Sequence, residues 1–405
     1  MNNFLMAWRN LWRNKRRTFI TIASIFFGVF FSAYMSSMQE GSYSKMVENV
    51  VKFYSGYLQI QQKDYWENKT INNTFKPNKQ VMHMLAQNNE ITQVVPKIES
   101  FALASYGELT KATGVFGVNP EKEEKMSGLA KWITSGKYLV PGDNGVLISE
   151  GLASSLNMGI NDTLVLLSQG YHGLSAQGLF PVRGILTFPT PDLNKGLVYM
   201  DLKQAQYFYS ADSLVTSLVL MVKNHDHVKP AKNQLIASLP KNLTVMTWDE
   251  MQPEVVQQID SDRSGGIVMK AILYIVIGFG VLGTIIMMVA ERRRELGVMV
   301  AVGMKRRKLS SIIFLETIFI GIIGVLLGVI FSLLVISYYY GHPIKLTGNA
   351  AQTMLEMGIE PYMYFSMQAK VFVNQAITVF IITLFIALYP ALSIVRFKVA
   401  EALRG

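Results

Sequence analysis

Four apolar runs limit what this chain can fold into more than any other feature. Phe19–Met38, Ala271–Ala290, Ser311–Ser337 and Val371–Val395 each hold about 20 residues or more with almost no charge. At a helical rise of 1.5 Å per residue, about 20 residues cover the roughly 30 Å of a bilayer's hydrocarbon core. Length alone, at 405 residues, would suggest two or three soluble domains. Half of the residues are hydrophobic, however, and they gather in runs instead of spreading at amphipathic spacing. The expected fold is therefore membrane α plus extracytoplasmic α+β. Four transmembrane helices in a 1+3 arrangement carry a large domain between the first and the second.

Charge predicts the orientation. The ends and the loop after the second run carry Arg9, Arg13, Lys15, Arg16, Arg17, Arg292–Arg294, Lys305–Lys308, Arg396, Lys398 and Arg404. Only Glu291, Glu295 and Glu401 stand against them, so the positive-inside rule places this face, with both termini, in the cytoplasm. Gln39–Gly266 holds twenty basic and twenty-two acidic residues and is the translocated segment. The net charge of +10 is thus a membrane signature, and no aromatic-and-basic interleaving points to nucleic acid. Cysteine is absent, which excludes disulfides and thiol chemistry. The first apolar run is too long for a signal-peptide core and has no A-x-A site after it, so it reads as an uncleaved span.

Between the second and third runs lies Glu291–Leu309, E-R-R-R-E-L-G-V-M-V-A-V-G-M-K-R-R-K-L. Leu296, Met299, Val300 and Gly303 recur on one helical side, and charge crowds the other. Gly303 is a natural helix stop, and Gly297 and Ala301, four apart, would let another surface approach the backbone. Charge alone allows a plain basic loop. The residue order resembles the coupling loop of ABC transporter permeases of the MacB/LolC/LolE/FtsX (mechanotransmission) family, at Arg293, Glu295, Leu296, Gly297, Ala301 and Gly303. In that family this helix docks on a separate ATPase.

The same family resemblance recurs along the chain. Ala7–Thr18 fits its N-terminal basic helix, in which Phe4, Leu5, Trp8, Leu11 and Trp12 form an apolar face beside Arg9, Arg13 and Arg16. Pro390, Ala391, Arg396, Glu401, Ala402, Leu403 and Arg404 fit its C-terminal signature, although Val399-Ala400 stands where the family usually has a proline before E-A-L. Gly117–Pro120 and Gly136–Asp143 resemble its periplasmic domain, which implies a two-lobed architecture: a porter lobe with a second lobe inserted at about 120–200. The implied layout is a cytoplasmic amphipathic helix 1–17, spans at 18–38, 267–290, 310–337 and 371–395, and a periplasmic domain 39–266. A coupling helix 291–309, an outer loop 338–370 and a cytoplasmic tail 396–405 complete it.

Small residues mark packing positions: Ser24, Gly28 and Ser32 every four residues in the first span, and Gly324-x-x-x-Gly328 in the third. The first set reads as a dimer seam or a contact with another span. Glu316, the one acid inside a span, reads either as a snorkelling interfacial side chain or as a mechanistic group. Pro390 is expected to end or kink the last helix. Glu121, Glu123 and Glu124, alternating with lysine, read as a solvated face. Ser168–Leu179 reads as a long hairpin tip, and is where any acceptor contact would fall.

No G-x-x-x-x-G-K-[ST], H-E-x-x-H or G-x-S-x-G occurs, so neither ATPase nor hydrolase chemistry is expected of the chain itself. His225-x-His227 reads as solvated and not as a metal site. The resemblance implies a non-catalytic permease subunit in a bacterial inner membrane, paired with a like or related permease. It is served by two copies of an ATPase that bind ATP and Mg; the chain itself holds no cofactor. Membrane lipid and a periplasmic lipoprotein carrier or adaptor complete the implied partners. Lipoprotein or lipid-like extraction toward the outer membrane, as in LolC/LolE, leads; MacB-like efflux and FtsX-like activation of a cell-wall hydrolase are the alternatives.

Overall fold

The computed structural model describes residues 3–13, 15–223, 225–356 and 359–395. The C-terminal signature residues Glu401, Ala402 and Leu403, with Arg396 and Arg404, lie outside them. The chain divides into two compact units, one built from Met1–Lys45, Gln258–Lys345 and Tyr362–Gly405, the other from Met46–Gln257 and Leu346–Pro361.

Among the described residues, four helices are long and apolar enough to cross a membrane, as the hydropathy demands: Lys15–Ser55, Pro253–Glu291, Arg306–Gly341 and Ala369–Leu392. The last continues past Pro390 to Val395, so the proline neither ends this helix nor interrupts it. Transmembrane helices tolerate proline where neighbouring groups or local backbone adjustment satisfy the carbonyl it frees. Next to it, the hydroxyl of Ser310 donates to the carbonyl of Ala391 at 2.7 Å.

Small residues mark where the spans touch. A Cβ on Gly324 would stand 2.8 Å from Cβ of Ile25, and one on Gly328 2.7 Å from Cβ of Val29. The third span therefore presses its glycine strip onto the first. A Cβ on Gly28 would stand 2.8 Å from Cγ2 of Ile277, so the small-residue row of the first span meets the second within the same chain. Ser32 on that row is buried and donates to the carbonyl of Val29, while Ser24 donates to Ile20. Gly280 and Gly283 of the second span face open space.

The other unit is α+β. Ten strands form one sheet: β1 (Leu58–Gln62), β2 (Ile91–Tyr106), β3 (Leu109–Val118), β4 (Ile133–Gly136), β5 (Val146–Ser149), β6 (Thr163–Gln169), β7 (Ser175–Leu186), β8 (Leu197–Asp201), β9 (Ser217–Val222) and β10 (Leu243–Thr247). Their order is β10-β1-β9-β2-β3-β8-β5-β7-β4, and β6 pairs with β2 and β7. Two cores divide the sheet. Leu58, Ile60, Leu218, Leu220 and Val245 pack with Val81, Leu85 and Leu235 of helices Lys79–Gln87 and Val228–Ser238. Ile98, Val115, Ile148, Leu164, Phe180 and Val198 form the other. On the opposite face Phe116, Leu147 and Tyr199 make a further cluster, so β3, β5 and β8 are covered on both sides. That is why Val146–Ser149 is buried throughout and does not alternate.

Segment 120–200, where the resemblance puts an inserted lobe, supplies β4 to β8 to this same sheet. Ser168–Leu179 is the tip of the β6–β7 hairpin, turning at Tyr171–Gly173. The run read as a solvated face is the helix Pro120–Ser127, capped by Asn119 with proline in its first turn. Its Glu123 is fully buried, and its carboxylate takes the ammonium of buried Lys97 at 2.9 Å.

Candidate coupling site

The segment between the second and third spans folds as a short helix, Arg293–Ala301. It ends through a Schellman arrangement: Met304 N–H donates to Met299 C=O and Gly303 N–H to Val300 C=O, both at 3.0 Å. Gly303 takes φ +102°, which a side chain would strain. The stop read from the sequence thus has a conformational basis.

The helix is amphipathic, with its anchor facing inward. Leu296 is 1% exposed and clusters with Leu309, Ile313 and Ile394, with Val289, Met299 and Val300 around them. Gly297 is buried on the same side, whereas Ala301 is exposed. The two small residues therefore form no single open strip. Arg293, Arg294 and Glu295 stand outward, and so do the apolar Val298 (47% exposed) and Val302 (84%). Sequence reasoning missed these two valines because in a strongly apolar run they resemble core residues; helical phase, 100° per residue from Leu296, was the signal available.

Ion pairs tie this helix to its surroundings. The guanidinium of Arg13, on the N-terminal helix Asn3–Arg13, pairs with Glu295. Arg17 pairs with Glu291. Arg292 places Nη1 2.8 and 2.9 Å from the two carboxylate oxygens of Glu316, on the helix Arg306–Gly341. Both side chains are buried, at 5% and 1% exposure. Glu316 therefore does not snorkel; it is held inside against a cation from the segment that opens the short helix. The charge is compensated, as a buried carboxylate requires.

The N-terminal helix contributes Ala7 and Leu11 to the bundle core, and Phe4 and Trp8 set their rings edge-on to Phe319 at 4.7 and 5.7 Å. Trp8 and Trp12 keep nearly half of their surface exposed, available to a lipid interface. The arrangement leaves the short helix braced on its inner side and presenting an outer surface of arginines around two valines. Such a surface can bind a protein partner: apolar contact gives affinity, and cations give orientation.

Comparison with known proteins decides the family. The model described as MacB-like periplasmic core domain matches residues 18–238, and the one described as FtsX-like permease C-terminal matches 267–399. This chain belongs to the MacB/FtsX family of ABC transporter permeases. Among its relatives, the lipoprotein-releasing system transmembrane protein LolC of Xylella fastidiosa (strain 9a5c) is 25% identical over 331 residues, 78% of each chain. The corresponding LolE of Haemophilus influenzae is 23% identical over 272 residues, 64% of each. The crystal structure of the periplasmic region of MacB from Actinobacillus actinomycetemcomitans aligns with a TM-score of 0.37 at 14% identity, covering 52% of this chain and 97% of that one. As a MacB/FtsX permease, the chain is a multi-pass membrane protein of an ABC-type transporter, with an α+β domain between its first and second spans.

Proposed function

We propose that this permease releases lipoprotein or lipid-like substrate from the inner membrane, driven by a separate ATPase that docks on Arg293–Ala301. Its mechanical part carries motion from that helix through the long first and second spans to the domain outside. The observation that carries the coupling half is the outward surface of Val298 and Val302 among Arg293 and Arg294, on a helix whose inner side is locked by Leu296. The substrate half is supported by the LolC and LolE relatives, whose names state lipoprotein release. In this reading Leu296, Gly297 and Gly303 shape the helix, and Arg293 and Ala301 join the valines on the docking surface. Glu295 aligns it through Arg13. A pair of permeases, like or unlike, faces two ATPases that hold ATP and Mg.

The test is a mild-detergent pull-down of the tagged chain with mass spectrometry of co-purifying protein and lipid. An ABC ATPase together with lipoprotein supports the proposal, and Val298→Asp with Val302→Asp should release the ATPase at least tenfold, since a buried charge in an interface costs several kcal/mol. An ATPase accompanied by an adaptor or outer-membrane duct moves the function to MacB-like efflux, a reading favoured by the match over residues 18–238. Absence of any ATPase overturns the coupling role.

A further inference from the structure

We propose that a cavity at the foot of the membrane unit binds the phosphate headgroup of an anionic membrane lipid. The cavity holds about 190 Å³ between the N-terminal helix, the coupling segment and the third span. Its polar wall is Arg9, Asn10, Arg13 and Arg292. Three guanidinium groups here face two carboxylates, those of Glu295 and Glu316, which leaves one positive charge without compensation. Arg9 makes no ion pair among the described residues.

A second, independent feature points to an acceptor. The Nε–H of Arg292 is buried and has no hydrogen-bond partner. It lies 3.8 Å from Oε2 of Glu295, beyond hydrogen-bond reach. A phosphate oxygen in the cavity supplies the missing acceptor, and arginine's planar fork suits phosphate oxygens. The rest of the wall is apolar and includes Met299, Met304 and Ile312. A free phosphate ion leaves that surface unused, whereas the glycerol and first methylenes of a lipid cover it. Trp8 and Trp12, exposed on the same N-terminal helix that supplies Arg9 and Asn10, put the mouth at headgroup level. Occupancy would let the lipid phosphate share Arg13 with Glu295 and so couple the position of the helix Arg293–Ala301 to the charge of the inner leaflet.

The experiment uses the full chain, purified and delipidated, with native mass spectrometry counting retained lipid. Phosphatidylglycerol, phosphatidylcholine and inorganic phosphate are the probes. We expect tight retention of one phosphatidylglycerol per chain, weakened about fivefold by Arg9→Gln and again by Arg13→Gln, the scale of one surface arginine against an anionic lipid. Met299→Trp, which fills the apolar half, weakens it as well, while Arg307→Gln removes the same charge outside the cavity and leaves retention intact. Equal loss in Arg307→Gln, or equal retention of phosphatidylcholine, overturns the site. Displacement of the lipid by inorganic phosphate with no effect of Met299→Trp assigns the cavity to a small anion and overturns the lipid. Arg9 is exposed, so its variant folds, and the binding assay needs neither ATPase nor substrate.

Discussion

Glu316 and Arg292 show how much one buried pair can demand of a membrane protein. Glu316→Leu removes the acceptor and strands a guanidinium that is 5% exposed. Breaking such a pair on one side costs about 3–5 kcal/mol, whereas replacing both partners with apolar groups is close to neutral. The expected result is a clear drop in melting temperature in detergent for Glu316→Leu, largely restored in the double variant Arg292→Met, Glu316→Leu. Equal melting of single and double variants would show that the two are not energetically coupled. Glu316 stood out in the sequence as the one acid within a span, yet its partner did not. Seven basic residues share the loop, and only the fold brings Arg292 to it. Glu123 was harder, because E-K-E-E-K has the pattern of a solvated face. Helical phase buries Pro120, Glu123 and Ser127 along one side, and Lys97 of β2 then neutralises the acid.

At the level of elements, the spans were readable because hydropathy adds over some 20 residues, so no single position decides. Strands with an alternating residue pattern were readable too: β10 alternates in burial, whereas β1, L-Q-I-Q-Q, buries Gln59 and Gln61 along with Leu58 and Ile60. The helix Pro120–Ser127 was not, since a short charged segment opening on N-P carries the signals of a turn. Glycine spacing located contact faces but not their partners. The structure separates glycines that touch from those that do not, and this yields a paired expectation. Gly324→Ala places a methyl 2.8 Å from Ile25 and 3.2 Å from the carbonyl of Ile22, forcing the first and third spans apart. Overpacking of this kind costs about 1–3 kcal/mol. Gly283→Ala meets nothing within 4 Å and gains helix propensity, so it should melt at the wild-type temperature or above. Thermal melting of both variants in the same detergent checks the ranking, and equal destabilisation would contradict the packing described.

For the whole molecule, the decisive quantity is the distribution of charge along the chain. Fifteen basic and three acidic residues occupy the termini and the loop around the helix Arg293–Ala301, while the segment between the first two spans is nearly balanced. If the positive-inside rule governs insertion, Arg293–Ala301 faces the cytoplasm, where an ATPase can reach it, and the α+β domain faces outward. The absence of cysteine makes this measurable without first clearing a background. Glu108, exposed at the turn between β2 and β3, and Arg307, exposed in the basic run after the short helix, are single sites outside the proposed docking surface. In spheroplasts, Glu108→Cys should react with a membrane-impermeant maleimide at once, and Arg307→Cys only after the membrane is permeabilised. The opposite pattern would put the coupling helix outside, away from any ATP, and the transport mechanism would fail with it. Labelling of both without permeabilisation would show that the apolar helices between the two positions do not form a membrane barrier. Permease function depends on this sidedness, because docking, ATP and the basic surface must all share one compartment.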